Sequence, residues 1–378
     1  MMTMRVFPMS KFSQISLISV VGVLLFCGCH GQSEIAPASS GPVQWLVADE
    51  QIKDIELKIV WQNKFPFDNF DSLKQLELAG DRVYGFSESN YLVSLNRQNG
   101  SAVFIQDVAP SGLPIFGISE YNGMLYSLLG NRLVELNLDS GVEISSTRLD
   151  FSGTCAATRN SRNYFIAGRD NRIHTLLASN KIQVYEVAAP SDTEITSIIA
   201  LENLLLFSSL AGEVMCIHSN GKKVKWRFDA GGGIVGKMSI DKNSLYFASN
   251  DTKVYKISGE KGKLVWLYPT DGILERGPRV TKAIVYQYVR GKGLIAIDKD
   301  TGSEIWTLAD GLDLLSEYGD KAYVLAEGSK IILMDNGKGE KLGEATIAEA
   351  SKYAVNFADS KIYVGGKDGR IACLEPKY

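Results

Sequence analysis

The stretch GLIAIDKDTGSEIW, residues 293–306, decides how this chain folds. It begins with a short apolar run, continues through Asp-Lys-Asp-Thr-Gly and ends at Trp306. An aspartate side chain can accept hydrogen bonds from the backbone of its own turn, and glycine adopts positive φ without steric cost. The pattern therefore predicts a strand, a tight turn and a second strand that carries the tryptophan.

Related stretches occur along the chain at a regular interval. The strongest are GEVMCIHSNGKKVKW (212–226) and TKVYKISGEKGKLVW (252–266), and their final residues, Trp226 and Trp266, precede Trp306 in steps of 40 residues. A period near 40 indicates a repeat architecture. Weaker copies lie at 91–104, 132–144, 171–185 and 329–342, and a copy at 369–378 stops before its tryptophan.

Each copy follows an apolar strand with an aromatic residue at its centre. Short runs rich in Val, Ile, Leu, Tyr and Phe, separated by Gly, Asn, Asp and Ser, are typical of β-strands. Four short strands per 40 residues are typical of one β-propeller blade. Eight such hairpins therefore predict an all-β fold, an eight-bladed β-propeller. The central residues taken as equivalent are Tyr84, Tyr126, Phe165, Phe207, Tyr246, Tyr286, Tyr323 and Tyr363.

The two ends of the repeat region complement each other. The last copy lacks its outer strand, whereas the domain begins with an unpaired strand, IELKIVWQNKF (55–65), in which Trp61 stands where the repeat expects its tryptophan. We expect this N-terminal strand to complete the last blade and close the ring, because closure protects sheet edges from pairing with other chains.

The first 28 residues are expected to be a lipoprotein signal peptide. A basic start, a short apolar run (15–26) and small residues after it are typical of secretory signals, and the run is short for a permanent membrane span. The following FCGC resembles a bacterial lipobox, which makes Cys29 the lipidation site; a plain signal peptide without lipid is the alternative. Residues 29–44 are predicted to be a flexible tether, and residues 45–378 the propeller.

Charge and composition exclude some classes of function. The chain has a formal net charge of −3, and loss of Arg5 and Lys11 with the signal would leave 38 basic and 43 acidic residues. This balance argues against a nucleic-acid partner and a polybasic membrane surface. The three histidines are too dispersed to predict a metal site. The cysteines after Cys29, predicted to be buried free thiols, are Cys155, Cys216 and Cys373.

The repeat signature, an apolar strand followed by Asp/Asn-x-x-(Thr/Ser/Asn)-Gly-x-x-x-Trp, resembles the PQQ-like repeat of quinoprotein propellers over residues 55–378. Together with the lipobox, the eight repeats resemble the BamB family of lipoproteins. That resemblance implies a scaffold without catalysis or cofactor, lipid-anchored to the outer membrane and facing the periplasm. It also implies a protein partner, the central barrel-inserting subunit of the β-barrel assembly machinery. His30, rather than Asp, follows Cys29, which is compatible with sorting to the outer membrane.

The same resemblance implies partner-binding residues. The stretch SDTEITS (191–197) matches an acidic loop of the family and places Asp192 and Glu194 at the acidic positions. The basic and apolar loop one blade earlier corresponds to TRLDFSGTCAA (147–157), which offers Arg148 and Leu149, although the alignment slips there. The alternative is that these loops are simply solvated.

Several motifs invite a chemical interpretation, and a structural one is favoured for each. Asp298 and Asp300 could act as paired carboxylates, but neighbouring copies carry unrelated residues at these positions, which favours turn capping. The stretch GGGIVG (231–236) satisfies G-x-G-x-x-G, but no helical pattern follows, so an inter-blade turn is expected. The tryptophans are expected to be wedges between blades, and the turn glycines a backbone necessity. The residues assigned to this structural repeat are Trp61, Trp226, Trp266, Trp306, Gly262 and Gly302.

Two other functions remain open. A quinoprotein dehydrogenase would need a quinone, Ca²⁺ and, by its resemblance to known enzymes, a vicinal Cys-Cys pair, which the chain after Cys29 lacks. A generic propeller lipoprotein could bind another protein, a peptide or a glycan, because propeller loops vary freely.

Overall fold

A computed structural model describes residues 44–65, 67 and 71–377. The predicted signal peptide (1–28) and lipidation site Cys29 lie outside these residues, as does the predicted tether except for Gln44. The first elements among the described residues are a short helix, α1 (Asp49–Ile52), and a 3₁₀ turn (Lys53–Ile55). Within the described ranges, no helix has the length and apolar character needed to cross a membrane.

The described chain forms eight antiparallel sheets of four strands, and this confirms the predicted eight-bladed propeller. In each of blades 1–7, four consecutive strands pair in sequence order. Blade 1 contains β2 (Leu73–Ala79), β3 (Arg82–Ser87), β4 (Tyr91–Asn96) and β5 (Ala102–Asp107). Blade 2 contains β6 (Ile115–Tyr121), β7 (Met124–Leu129), β8 (Arg132–Asn137) and β9 (Glu143–Arg148). Blade 3 contains β10 (Thr158–Arg159), β11 (Asn163–Ala167), β12 (Arg172–Leu177) and β13 (Gln183–Ala188). Blade 4 contains β14 (Ile195–Ala200), β15 (Leu204–Ser209), β16 (Glu213–His218) and β17 (Val224–Asp229).

The second half of the ring continues the same pattern. Blade 5 contains β18 (Ile234–Asp241), β19 (Ser244–Ser249), β20 (Lys253–Ser258) and β21 (Leu264–Pro269). Blade 6 contains β22 (Arg279–Val280), β23 (Ile284–Val289), β24 (Gly293–Asp298) and β25 (Glu304–Leu308). Blade 7 contains β26 (Gly311–Tyr318), β27 (Lys321–Ala326), β28 (Lys330–Asp335) and β29 (Lys341–Thr346). Blade 8 contains β30 (Ala350–Ala354), β31 (Ile362–Gly366), β32 (Arg370–Pro376) and, from the other end of the chain, β1 (Leu57–Lys64).

The N-terminal strand closes the ring as predicted. Strand β1 pairs antiparallel with β32, with Leu57 opposite Pro376 and Lys64 opposite Arg370. The first strand of blade 1, β2, also contacts the first strand of blade 8, β30, so blade 8 is the neighbour of blade 1. Hydrogen bonds between the two ends of the chain therefore hold the last blade together.

The core is divided among the junctions between blades. Eight apolar clusters of buried residues are found, and each joins two neighbouring blades. The second and third strands of most blades are apolar along nearly their whole length because both of their faces pack against adjacent blades. Most of the stabilisation therefore comes from contacts between sheets.

One of the predicted equivalences needs correction. Across the sheets, an aromatic residue of the second strand is opposite a residue of the third strand, which in turn is opposite the tryptophan position, as in Tyr246, Lys256 and Trp266. In blade 4 the residue in this row is Leu206, opposite Cys216, and not Phe207. The aromatic character of Phe207 suggests the wrong position, because a shift of one residue along a strand moves the side chain to the other face of the sheet.

Candidate functional site

The tryptophans and turn glycines form a repeated joint between blades. The ring of Trp226 lies over Gly262 in the next blade, and its indole nitrogen donates a hydrogen bond to Gly259 O at 3.0 Å. The ring of Trp266 lies over Gly302 in the same way and donates to Lys299 O at 3.0 Å. Both glycines have positive φ, so a side chain there would be strained and would also meet the indole.

The same joint recurs elsewhere in the ring, with variations. Trp61 of blade 8 lies over Gly100, and Trp306 lies over Gly339. In blade 2 the wedge position is Ser145, opposite Glu135, and the turn that follows in blade 3 has Lys181 at positive φ instead of glycine. The turn can therefore carry a side chain where the wedge is small.

The turn of the stretch GLIAIDKDTGSEIW is held by one aspartate. Asp298 Oδ1 accepts hydrogen bonds from Asp300 N at 3.1 Å and from Thr301 N at 2.7 Å. The backbone hydrogen bond from Thr301 is the main cause that lowers the pKa of Asp298. The Asp300 side chain, in contrast, is 92% exposed. The two carboxylates therefore have different roles, and Asp298 is occupied by its own turn.

The stretch GGGIVG does not form a dinucleotide-binding turn. Residues 230–233 connect β17 to β18, and a strand follows rather than a helix. A Cβ on Gly232 would lie 2.6 Å from Asp251 N, and one on Gly233 would lie 2.3 Å from Leu210 O. Close contact with neighbouring backbone accounts for these glycines.

Two kinds of loop share one end of the ring. The connections between blades and the turns between the second and third strands lie together at this end, which we call the interblade face. The connection that contains Asp192 and Glu194 (189–194) belongs to this face, and so does the connection that follows Arg148 (149–157).

The loop 189–194 is held at several points. Asn171 Nδ2 donates to Asp192 O at 2.7 Å, and Leu210 N donates to Glu194 O at 3.0 Å. Glu213, only 4% exposed, accepts hydrogen bonds from the backbone and the hydroxyl of Ser191. The loop backbone is therefore fixed by groups from blades 3 and 4.

The predicted acidic residues project from this fixed backbone. Asp192 has positive φ, and both Asp192 and Glu194 are exposed. Within the described residues, neither side-chain carboxylate accepts a hydrogen bond or joins an ion pair, in contrast to Glu213 beside them, which pairs with Arg227. Two charged groups on a rigid support are thus available to a basic partner.

The two members of the basic and apolar pair differ in exposure. Arg148 is exposed at the end of β9. Leu149 is 5% exposed and packs in the cluster between blades 2 and 3, with its backbone nitrogen bonded to Asn131 O at 2.8 Å. Leu149 is therefore a core residue here and offers little surface to a partner.

The structure joins the two predicted loops into one surface. Thr154 Oγ1, in the connection after Arg148, donates to Ile195 O at 3.3 Å, next to Glu194. Phe151 of the same connection stacks on the His174 ring at a centroid distance of 3.6 Å, and His174 Nε2 lies 2.9 Å from Asp170 Oδ2.

Sequence reasoning missed these supporting residues. No short motif marks the pairing of Phe151 and His174, because their contact depends on the fold. Glu213 had one usable signal, a charged residue at the start of an otherwise apolar strand.

The three predicted free thiols differ in how deeply they are buried. Cys155, Cys216 and Cys373 are free, and Cys155 is half-buried rather than fully buried as expected. Burial raises the pKa of the Cys155 thiol to about 11. In the part of the chain that the structure describes, no three His, Cys, Asp or Glu side chains are grouped to hold a metal ion.

Comparisons with known proteins agree with this architecture. The chain is similar in fold to BamB from Moraxella catarrhalis, with a TM-score of 0.67 at 15% sequence identity, over 85% of this chain and 98% of that chain. It is also similar to the computationally designed Ika8 protein, with a TM-score of 0.65 at 13% identity, over 82% of this chain and 98% of that one. No curated protein sequence matches.

A family model assigns the chain more specifically. The model described as outer membrane protein assembly factor BamB matches residues 170–306 and 211–377, which together exceed half of the chain. This chain therefore belongs to the family of outer membrane protein assembly factor BamB.

Proposed function

We propose that this protein is a non-catalytic scaffold that binds a protein partner of the outer-membrane assembly machinery through its interblade face. One observation carries the proposal: Asp192 and Glu194 present free carboxylates on a loop whose backbone is fixed by Asn171, Leu210 and Glu213. A preorganised loop loses little conformational entropy when it binds, which strengthens the contact. Membership of the BamB family supports the choice of machinery.

The proposed partner is the central barrel-inserting subunit, contacted on its periplasmic domains. The acidic pair would meet basic groups of that subunit, and Arg148 would meet an acidic or polar group beside them. Charge pairs at an interface govern specificity and association rate, so reversal of both carboxylates should act strongly. We further propose that Cys29 carries a lipid and holds the protein at the outer membrane, facing the periplasm.

A crosslink in the cell tests the partner. A photo-activatable residue at position 192 or 194 should capture the barrel-inserting subunit, and Asp192→Arg with Glu194→Arg should reduce co-purification at least about tenfold. The matched control is Asp300→Arg with Glu340→Arg, two exposed turn residues at the opposite end of the ring. Capture of an unrelated protein, or an equal loss in the control, would favour a generic propeller lipoprotein.

Two simpler measurements test the remaining parts. Cys29→Ser should move the protein from the membrane fraction to the soluble periplasmic fraction, and unchanged fractionation would count against lipidation. The purified protein should lack the visible absorbance of a bound quinone. If the purified protein is coloured and oxidises an alcohol or a sugar, its function is that of a dehydrogenase and not of a scaffold.

A further inference from the structure

The outer wall of blades 4 and 5 carries five exposed lysines and one exposed acid, Glu260, which lies in the blade 5 turn beside Lys261. The lysines are Lys222, Lys223 and Lys225 in blade 4 and Lys261 and Lys263 in blade 5. None of the five joins a salt bridge within the described residues, whose ion pairs all involve other side chains. We call these residues, with the apolar side chains between them, the basic wall.

Trp226 links the strand and the turn that carry the two groups of lysines. Trp226, which follows Lys225 on β17, donates its indole N–H to Gly259 O in the blade 5 turn that contains Lys261. The same indole lies over Gly262, between Lys261 and Lys263. The joint between blades thus brings the two groups of lysines together.

Equivalent positions of other blades do not carry an excess of lysine. Counted from the tryptophan position, Lys261 and Lys263 correspond to Thr301 and Ser303 in blade 6 and to Ser140 and Val142 in blade 2. The single lysine of blade 3, Lys181, forms an ion pair with Glu135 at 2.8 Å. The turn accepts neutral residues at these positions, so the architecture alone does not require lysines in blades 4 and 5. This local excess contrasts with the net charge of −3 for the whole chain.

Apolar side chains lie among the lysines. Val224 is 52% exposed, Leu264 46% and Val265 53%, all on edge strands. Isolated exposed apolar residues are common, but a group of them framed by exposed charges, here five lysines and one glutamate, is typical of a recognition surface. Lysine on an edge strand also disfavours pairing with another strand, so contact here would be made by side chains.

We propose that the basic wall binds an acidic segment of a partner protein, with apolar residues between its carboxylates. The exposed lysines complement carboxylates in charge, and the exposed side chains of Val224, Leu264 and Val265 complement apolar residues placed between those carboxylates. This site is separate from the interblade face.

Peptide binding tests this proposal on the purified chain. The probe is a fluorescent peptide of four Glu-Leu-Asp repeats, compared with four Gln-Leu-Asn repeats. We expect the acidic peptide to bind at least ten times more tightly, with affinity that falls as salt rises. Lys222→Glu with Lys223→Glu and Lys261→Glu should reduce its affinity at least tenfold. The control with the same charge change, Lys53→Glu with Lys338→Glu and Lys367→Glu, should change affinity less than twofold.

A second variant separates apolar contact from attraction by charge alone. Val265→Ser should lower the affinity for the acidic peptide a few-fold and leave the salt dependence of binding unchanged. Equal losses in the two lysine variants would overturn the proposal, because affinity would then follow net charge. If phosphatidylglycerol vesicles bind through the lysines of the basic wall and the peptide does not bind, the partner is a lipid surface and not a protein. If the variant with Lys222→Glu, Lys223→Glu and Lys261→Glu forms oligomers but binds the peptide with unchanged affinity, the lysines only prevent the sheet edges from pairing with other chains.

Discussion

Blades 4, 5 and 6 are joined by a tryptophan over a glycine, whereas blades 2 and 3 are joined by a buried carboxylate. At the second joint, Glu135 is 6% exposed, accepts a hydrogen bond from Tyr164 Oη at 2.7 Å and pairs with Lys181 Nζ at 2.8 Å. The apolar joint gains its stability from burial, and the polar joint depends on complete satisfaction of its groups. Of the two predicted partner loops, one connects blades 2 and 3, where the repeat signature is weakest, and the other leads from blade 3 to blade 4.

A third kind of joint explains a gap in the repeat. Blade 7 has Gly343 at the tryptophan position, opposite Leu333, which in turn is opposite Tyr323. A Cβ there would lie 2.2 Å from Asp54 O, because the N-terminal segment fills this space. In blade 8 the third strand, β32, pairs with β1 from the N-terminal part of the chain, so the two strands are not joined by a short turn as in the other blades. A tryptophan at position 343 would therefore have no turn to cover, and residues 54–55 occupy the space that its ring would fill.

The largest effect is expected at this third joint. Deletion of residues 45–65 removes β1 and the buried side chains of Leu46, Val47, Ile52 and Ile55. Each buried side chain of this size contributes about 1.5–3 kcal/mol, and the sum rivals the whole stability of a typical domain, about 5–15 kcal/mol. We expect no cooperative thermal unfolding, measured by calorimetry, whereas a chain that begins at Gln44 should unfold normally. Equal transitions in the two chains would show that the hydrogen-bonded closure is dispensable.

The next effect separates glycines that receive a wedge from those that do not. Gly262→Ala places a Cβ at positive φ and 2.5 Å from the Trp226 ring, so we expect a loss of about 2–4 kcal/mol. Gly221→Ala, one blade earlier, meets no atom within 4 Å and has no positive φ. Its free energy of unfolding should change by less than about 1 kcal/mol. Similar losses in urea denaturation for both variants would mean that turn flexibility, and not the wedge, selects glycine.

The sequence predicts the joints in which a tryptophan of one blade lies over a glycine of the next. The spacing of Trp226, Trp266 and Trp306 predicts the blade period, and Trp61 predicts the closing strand. The polar joint could not be foreseen, because Glu135, Tyr164 and Lys181 meet only after three strands have folded. The burial of Leu149 could not be predicted either, because an apolar residue at a loop boundary can face either the core or the solvent. Local turn chemistry is encoded in neighbouring residues, whereas contacts between distant side chains are not.

A smaller and pH-dependent effect is expected at the polar joint. Burial alone would raise the pKa of Glu135, but hydrogen bonds from Lys181, Ser145 and Tyr164 lower it below the usual value. A lowered pKa means that the carboxylate stabilises the fold above the pKa of the unfolded chain, and this contribution is lost as pH falls through the folded pKa. Glu135→Gln should cost about 1–3 kcal/mol at pH 7.

The pH profile distinguishes charge from shape at this joint. The difference in unfolding free energy between the natural chain and Glu135→Gln should stay constant from pH 7 to about 5 and shrink below about pH 4.5. Urea denaturation across this range measures it. A difference that is independent of pH would mean that the glutamine fails for steric reasons, and the joint would then resemble the apolar ones more than we infer.

The smallest effect tests the turn that all these joints share. Asp298→Ala removes the acceptor for Asp300 N and Thr301 N and should cost about 1 kcal/mol, as the loss of a capping side chain does. Asp300→Ala removes a side chain that is 92% exposed and should change the free energy of unfolding by less than about 0.5 kcal/mol. If Asp300→Ala instead abolished partner binding or an activity while leaving stability intact, the turn would have a function beyond architecture. Because the other joints use Asn96, Asn137 and Asp335 as the same backbone acceptor, we expect the asymmetry between the first and third turn residues to hold around the ring.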